Sequence, residues 1–114
     1  MKVPSRFRRE SALLIILSKS PFSGGFDSIL KVASEMVKMG EKVGILHIQD
    51  ACIALTLPEY LRKISDNTVK IYGLKADCEA RGLLKKVDKR VTIVDYQGWV
   101  KLVMDEYDKI VSWI

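Results

Sequence analysis

Short apolar runs alternate along the chain with longer stretches in which apolar residues recur at helical spacing. The runs predict strands at 12–17, 42–46, 69–72 and 91–94, and a weaker run predicts one at 109–113. The middle three are rich in Val and Ile with almost no polar alternation, which is typical of strands covered on both faces. Strands alternating with helices favour a mostly parallel sheet. The predicted fold class is therefore α/β, a single-domain Rossmann-like or flavodoxin-like three-layer sandwich with about five strands, and the strand order stays open.

Two stretches carry an apolar stripe with helical periodicity. The first has apolar residues at i, i+3, i+4, i+7 and i+8, namely Ile29, Val32, Ala33, Met36 and Val37. This spacing predicts a helix that Asp27 caps and Gly40 ends. The second stripe directly follows the fourth apolar run, at Tyr96, Trp99, Val100, Val103, Met104 and Tyr107.

Shorter helical segments are predicted between these two. The range 50–64 has a helical tendency, but Pro58 disfavours helical geometry at Leu57, so two short pieces are expected. The range 77–81 predicts one or two helical turns that end at Gly82.

Length and composition fit one folded domain. The 114 residues are 48% hydrophobic and 29% charged, which is typical of a soluble globular domain with a core. Much of the net charge of +5 lies in Lys2, Arg6, Arg8 and Arg9. We therefore predict a basic N-terminal arm at 1–11 and an α/β domain at 12–114. The arm could contact RNA phosphates, an acidic partner or a membrane surface, or simply be solvated, and charge alone does not separate these.

The apolar run after the arm bears on the compartment. Its six residues are fewer than the roughly 7–15 of a secretory signal or the roughly 20 of a membrane-spanning helix. It therefore predicts a buried strand. Cys52 and Cys78, without an export signal, favour a reducing compartment in which thiols are free, catalytic or buried. We expect a cytoplasmic protein that does not engage a membrane.

Candidate chemistry is expected beyond the carboxyl ends of the strands, where the loops of an open parallel sheet converge. This rule selects the ranges 18–25, 47–52, 73–78 and 95–98. The first loop lacks the Gly-Lys-Ser/Thr of a P-loop, so a plain turn is favoured. His47, the single histidine, could act as an acid or base. A structural role is favoured, in which its ring is simply hydrogen-bonded at the end of the strand. The histidine and cysteine spacing predicts no metal site.

Cys78 is the candidate catalytic residue. It lies near the start of a predicted helix with Lys75 and Arg81 close in sequence, which favours a thiolate, although its two acidic neighbours oppose this. Cys52 stands among apolar residues and is interpreted as a buried small hydrophobe. Which of the two thiols reacts is left open.

The two tryptophans differ in their expected roles. Trp99 falls on the predicted helical stripe and is expected in the core. For Trp113, a place in a subunit interface is expected at least as much as a place in the core, because exposed apolar patches usually have partners.

Several segments resemble one protein family. Residues 69–83 (VKIYGLKADCEARGL) resemble a strand, a Tyr-x-Leu turn, an Asp and Ala-Arg-Gly-Leu, and residues 94–103 (VDYQGWVKLV) are similar to Asp-Tyr-x-x-Phe-Val-x-Leu. Residues 18–22 (SKSPF) resemble a Lys/Arg-Ser-Pro-Phe/Trp loop, and Gln49-Asp50 and Ser112-Trp113 also match. Taken in their order along the chain, these segments resemble the DsrH/TusB family of sulfur-relay proteins, and the resemblance extends from about Leu14 to the C-terminus.

The resemblance implies a subunit of a DsrE/DsrF/DsrH or TusB/TusC/TusD complex, in which small α/β chains pass persulfide sulfur between cysteines. The sulfur serves 2-thiouridine formation in tRNA or sulfur oxidation. Implied partners are DsrE/TusD-like and DsrF/TusC-like subunits and a TusA-like sulfur carrier, with a homo-oligomer as an alternative. No metal or nucleotide cofactor and no direct contact with nucleic acid are implied.

Departures from the family pattern shape the expected role. Ile29 stands where some DsrH-type members carry a cysteine, and Leu74 stands near the catalytic cysteine of DsrE/TusD relatives, one turn before Cys78. Ala51 replaces the usual glycine. We therefore expect a mainly structural subunit with an auxiliary thiol rather than an independent sulfurtransferase. The alternatives are a persulfide carrier that uses Cys78, or a homo-oligomer that binds RNA or another anion through the basic arm.

Overall fold

The computed structural model describes residues 11–65 and 68–113. Within them, five parallel strands form one sheet in the order β4-β3-β2-β1-β5. The strands are β1 (Ala12–Leu17), β2 (Lys42–His47), β3 (Lys70–Leu74), β4 (Thr92–Val94) and β5 (Lys109–Trp113). The helices are α1 (Phe26–Lys38), α2 (Pro58–Ser65), α3 (Lys75–Ala80) and α4 (Tyr96–Lys101), with 3₁₀ segments at Gln49–Thr56 and Leu84–Lys86. The predicted α/β fold is confirmed, and the described sheet is parallel throughout.

The helices are distributed unequally over the two faces of the sheet. The crossovers from β1 to β2, from β2 to β3 and from β3 to β4 all move in the same direction across the sheet. Right-handed connections therefore place α1, α2 and α3 on one face. The return from β4 to β5 places α4 on the other. The larger core, on the first face, includes Leu13, Ile15, Ile29, Val43, Leu61 and Cys78. The smaller core, beneath α4, includes Leu14, Ile16, Leu46, Tyr72, Leu102 and Tyr107.

Strand β1 lies at the centre of both cores. Its six residues, Ala12 to Leu17, are all buried, because β2 and β5 flank the strand and helices cover it from both sides. Burying one large aliphatic side chain contributes about 1.5–3 kcal/mol. At the amino end of β1, the Asp108 carboxylate accepts a hydrogen bond from the Ala12 N–H at 2.9 Å. The predicted strand bounds at 12–17 and 109–113 are confirmed.

Helix α1 ends as predicted but begins differently. Gly40 has φ +87°, and its N–H donates to the Val37 carbonyl at 3.0 Å, which ends the helix in a glycine C-cap. The predicted cap by Asp27 is wrong. Gly25, also at φ +87°, turns the chain so that the helix starts at Phe26, and Asp27 lies in the first turn.

The remaining helical predictions hold with one addition. Leu57 is extended and separates the 3₁₀ segment Gln49–Thr56 from α2, as Pro58 indicated. Gly82, at φ +65°, follows the end of α3. The addition is a π-helical turn at Leu102–Glu106 that continues α4. Because this turn carries an extra residue, it changes the angle at which the following side chains reach the sheet.

Candidate functional site

The predicted loops meet at one edge of the sheet, because the strands that precede them are parallel and adjacent. Leu17 pairs with His47, and His47 pairs with Gly73, so β1, β2 and β3 end side by side. The ranges 18–25, 47–52 and 73–78 are thereby brought together. The fourth range, 95–98, follows β4 at the far side of β3.

His47 is fully buried at the end of β2 and both of its ring nitrogens are hydrogen-bonded. Its Nδ1 lies 2.8 Å from the Tyr72 carbonyl oxygen and its Nε2 lies 2.5 Å from the Tyr60 hydroxyl. A carbonyl only accepts, so Nδ1 carries the proton and Nε2 accepts from Tyr60. Burial lowers the pKa of His47 to about 4, although the carbonyl bond opposes the shift. The ring is therefore neutral near pH 7, and its hydrogen bonds join β2, β3 and α2.

Cys52 and Cys78 are both free thiols with no exposed surface. Cys52 lies on the 3₁₀ segment after β2, and its Sγ lies 3.4 Å from the His47 carbonyl oxygen. Cys78 lies on α3 after β3, and its Sγ is 3.6 Å from where a Cβ on Gly73 would lie. Because His47 and Gly73 are paired neighbours, the two sulfurs lie over the same pair of strand ends and within hydrogen-bonding reach of each other.

The contact between the thiols makes their acidities unequal. The hydrogen bond from Cys52 lowers the pKa of Cys78, against the effect of burial and of Asp77. The same hydrogen bond, together with burial, raises the pKa of the Cys52 thiol. Arg81 favours the thiolate at both positions. Cys78 thus has the lower pKa of the pair, and its catalytic role stays a prediction because no described surface gives access to it.

Two polar contacts, which we call the polar cover, join the elements that carry the thiols. The Asp77 carboxylate accepts a hydrogen bond from the Gln49 N–H at 2.6 Å. The Arg81 guanidinium donates to the Asp50 carboxylate at 3.1 Å. Both contacts tie the 3₁₀ segment to α3 and its following turn. The segment begins at Gln49, whose φ of +49° is unusual for a residue with a side chain.

The pairing of the two cysteines was not predicted from the sequence. They are far apart in the chain, and Cys52 was interpreted separately as an apolar filler. A signal was nevertheless present. Cys52 follows the end of β2 by five residues and Cys78 follows the end of β3 by four, so adjacent parallel strands would place them at similar heights.

The loop 18–25 forms a tight turn beside a surface groove. The Ser20 hydroxyl accepts from the Phe22 N–H at 3.1 Å, and the Ser23 N–H donates to the Ser20 carbonyl at 3.0 Å, in line with the predicted plain turn. The groove has a volume of about 690 Å³, and its lining includes Phe22, Phe26, Leu57, Pro58 and Tyr60. Phe22 is 79% exposed, so its ring is presented to solvent rather than packed.

A second apolar surface lies on α4 and its π-helical turn. We call it the α4 surface, and it consists of Tyr96, Trp99, Val100, Val103 and Met104, which line an almost wholly apolar groove of about 290 Å³. Asp95 holds the start of α4 by accepting a hydrogen bond from the Gly98 N–H at 2.7 Å. Trp99 and Val103 also pack against the smaller core, as expected for Trp99. Trp113 is 38% exposed on edge strand β5, with its ring against Gly25.

Other predicted features are outside this site or outside the described residues. The basic arm at 1–11 falls almost wholly in residues 1–10, which the structure does not describe, so its role stays a prediction. Among residues 11–65 and 68–113, no group of three potential metal ligands comes together. In the same ranges, no helix is both long enough and apolar enough to span a membrane.

Comparison with known proteins identifies the family. Residues 19–109 match the family described as DsrH like protein, which is well over half of the chain. The chain belongs to the DsrH family. Among curated relatives of this DsrH family chain, Protein TusB of Photorhabdus laumondii is 31% identical over 102 residues. Protein TusB of Pectobacterium parmentieri is 29% identical over 102 residues, and each of these alignments covers 89% of this chain and all of the relative.

Solved structures show the same fold at lower identity. The ychN protein of E. coli superposes with a TM-score of 0.78 at 14% identity, covering 90% of this chain and 99% of its own. Protein BT1422 of Bacteroides thetaiotaomicron superposes with a TM-score of 0.75 at 13% identity, covering 90% and 95%. These two structures show a shared fold, and the family match described above confirms the predicted resemblance.

Proposed function

We propose that this DsrH family chain is a structural subunit of a sulfur-relay complex. Its implied partners are related small α/β subunits of the DsrE/TusD-like and DsrF/TusC-like kinds, and a TusA-like carrier delivers the sulfur. The observation that carries the structural role is the complete burial of Cys52 and Cys78. Persulfide transfer requires a thiolate that meets a persulfide on another protein. A chain whose thiols are both covered supports such transfer by holding other subunits.

The α4 surface is the proposed contact with a partner subunit. Val100 and Met104 are more than 60% exposed, and Tyr96 nearly so. One continuous apolar groove on one helix is unusual for an isolated domain, and such patches commonly mark protein interfaces. The aromatic rings of Tyr96 and Trp99 lie 6.4 Å apart and stacked, which gives the surface the rigid aromatic anchors typical of interface centres.

The names of the curated relatives support one pathway over the other. The curated relatives described above are TusB proteins aligned over their whole length, and the TusB branch is the one that the family resemblance connects with 2-thiouridine in tRNA. We therefore propose tRNA thiolation, in the cytoplasm, as the process served. Sulfur oxidation is the alternative outcome, to be distinguished by the partners that are recovered.

Native mass spectrometry of the protein purified from its own cells under reducing conditions tests the proposal. We expect a hetero-oligomer that contains other chains of similar size and α/β fold, each with an accessible cysteine. The Met104→Glu variant should weaken assembly by about tenfold or more, because a charge would be buried at an apolar contact. Met39→Glu is the matched control, since Met39 is 75% exposed at the end of α1, on the other side of the sheet.

Two results would contradict the structural role in a hetero-oligomer. One is recovery of the wild-type chain alone, as a monomer or homo-oligomer. The other is equal assembly of the Met104→Glu and Met39→Glu proteins, which would place the partner contact elsewhere than on the α4 surface.

A persulfide carrier that uses Cys78 is the second candidate function, favoured by the hydrogen bond through which Cys52 lowers the pKa of Cys78. Incubation of the native protein with a persulfide donor, followed by intact mass measurement, separates the two functions. We expect no added sulfur on the native protein during a short incubation, because neither thiol is exposed and slow local opening would be needed to reach them. A gain of one sulfur atom that is lost in Cys78→Ala but kept in Cys52→Ala would instead establish a carrier.

A further inference from the structure

The buried cysteine pair offers a chemistry that sulfur relay does not use. Gly73 has no side chain, and a Cβ there would come within 2.5 Å of the Leu55 side chain. The glycine therefore leaves room for Leu55 and for the Cys78 sulfur beside β3. On the neighbouring strand end, the Cys52 sulfur lies 3.4 Å from the His47 carbonyl oxygen. Because His47 and Gly73 are paired, the two thiols lie beside adjacent strand ends.

We propose that Cys52 and Cys78 form a reversible dithiol–disulfide pair whose oxidant is a low-molecular-weight disulfide. The inference goes beyond the proposed function, because it requires neither a partner subunit nor a persulfide. The relevant geometry is the position of two free, fully buried thiols on different elements, one beside His47 and the other beside Gly73, which are paired across adjacent strands. A disulfide between them would join the 3₁₀ segment Gln49–Thr56 to α3, the elements already tied by the Asp77–Gln49 hydrogen bond.

The reaction proceeds by two thiol–disulfide exchanges. Cys78 loses its proton and its sulfur attacks one sulfur of the small disulfide, whose S–S bond breaks. One small thiolate leaves and takes up the proton, and Cys78 is left in a mixed disulfide. Cys52 then loses its proton and its sulfur attacks the Cys78 sulfur, so the mixed S–S bond breaks and the second small thiolate leaves and takes up that proton. In total, two cysteine thiols lose two electrons and one small disulfide gains them.

Access to the pair requires the polar cover to open. The Asp50–Arg81 ion pair lies at the surface, and exposed ion pairs of this kind contribute only about 0–1 kcal/mol. The 3₁₀ segment beneath it has weaker hydrogen-bond geometry than an α-helix. Local opening of this segment exposes both sulfurs without unfolding the sheet, so oxidation is slow but does not depend on global unfolding.

Equilibration of the purified chain with mixtures of oxidised and reduced dithiothreitol tests the proposal. Free thiols are trapped with N-ethylmaleimide, and the fraction oxidised is read from the intact mass. The same titration in concentrated urea gives the effective concentration of one thiol at the other in the unfolded chain. We expect this effective concentration to be at least about 30-fold higher in the native protein than in urea, which is the increase that a typical stabilising disulfide shows. Peptide mapping should find Cys52 linked to Cys78.

Several outcomes would overturn the dithiol pair. A native effective concentration equal to or below that in urea would show that the fold separates the sulfurs, as would stable mixed disulfides with dithiothreitol or disulfide-linked dimers. Cys52→Ala and Cys78→Ala are the matched variants, and each should keep one alkylatable thiol at every redox ratio. If either variant does not fold, the wild-type ratio still decides. Subunit assembly is not measured, so failure here is distinct from failure of the proposed function.

Discussion

Gly44→Ala is expected to lower the free energy of unfolding by about 3 kcal/mol, at the upper end of the usual cost of overpacking a core. Gly44 lies in the middle of β2 on the face covered by α4. A Cβ there would meet the Tyr107 hydroxyl and lie 2.8 Å from its Cζ and 2.9 Å from Cε2 of Tyr72. Neither ring can withdraw easily, because both are buried and their hydroxyls are hydrogen-bonded to each other at 3.0 Å.

Urea unfolding of matched alanine variants measures this cost. Gly24→Ala is the control, because a Cβ at Gly24 meets nothing within 4 Å and alanine there should be neutral or slightly stabilising. Adding Tyr107→Phe to Gly44→Ala should recover part of the loss, since the hydroxyl is the nearest atom. Equal stability of the Gly24 and Gly44 variants would mean that Tyr107 does not occupy this position.

The second large effect is a loss of stability in mild acid that depends on His47. Its pKa is about 4 in the folded protein and 6.5 in the unfolded chain. Between these values the unfolded state binds a proton that the folded state does not. The contribution is therefore fully present above pH 6.5 and is lost as the pH falls to about 4. The shift corresponds to about 3 kcal/mol.

The free energy of unfolding measured by urea from pH 7.5 to 4 tests this contribution. His47→Gln is the control, because a glutamine side chain can donate to the Tyr72 carbonyl and accept from Tyr60 but does not titrate. Carboxylates contribute equally to both proteins, so the difference between their pH profiles isolates the histidine. Parallel profiles for wild type and His47→Gln would contradict a neutral, buried imidazole.

Local patterns in the sequence were sufficient for most of the elements. Strands β1 and β5 were predicted at their observed bounds: the apolar run of β1 reflects burial on both faces, whereas the weaker run of β5 belongs to an exposed edge strand. Gly40 and Gly82 marked helix ends, because both need a positive φ that other residues rarely adopt. The Asp27 cap was predicted wrongly for a related reason. Gly25 also takes a positive φ, and this starts the helix two residues earlier than a cap at Asp27 would.

Contacts across the sheet could not be predicted in the same way. The strand order depends on the connection from β4 at one edge of the sheet to β5 beside β1 at the other. No local sequence pattern predicts this connection. The π-helical turn that brings Tyr107 over Gly44 has the same apolar spacing as an ordinary helix. The site was half predicted: His47 and Cys78 were named at strand ends, but their partners Tyr60 and Cys52 lie on segments that only the sheet order brings together.

The central position of β1 has a consequence for how the protein reaches its folded state. The strand needs β5 as a neighbour, and the Ala12 N–H is satisfied by Asp108, 96 residues further along. Closing so long a loop slows folding. Until then, six consecutive apolar residues have an unpaired edge, which is the kind of segment that seeds aggregation in growing chains. The yield of soluble protein should therefore depend more on temperature and chaperones during synthesis than on the stability of the finished domain.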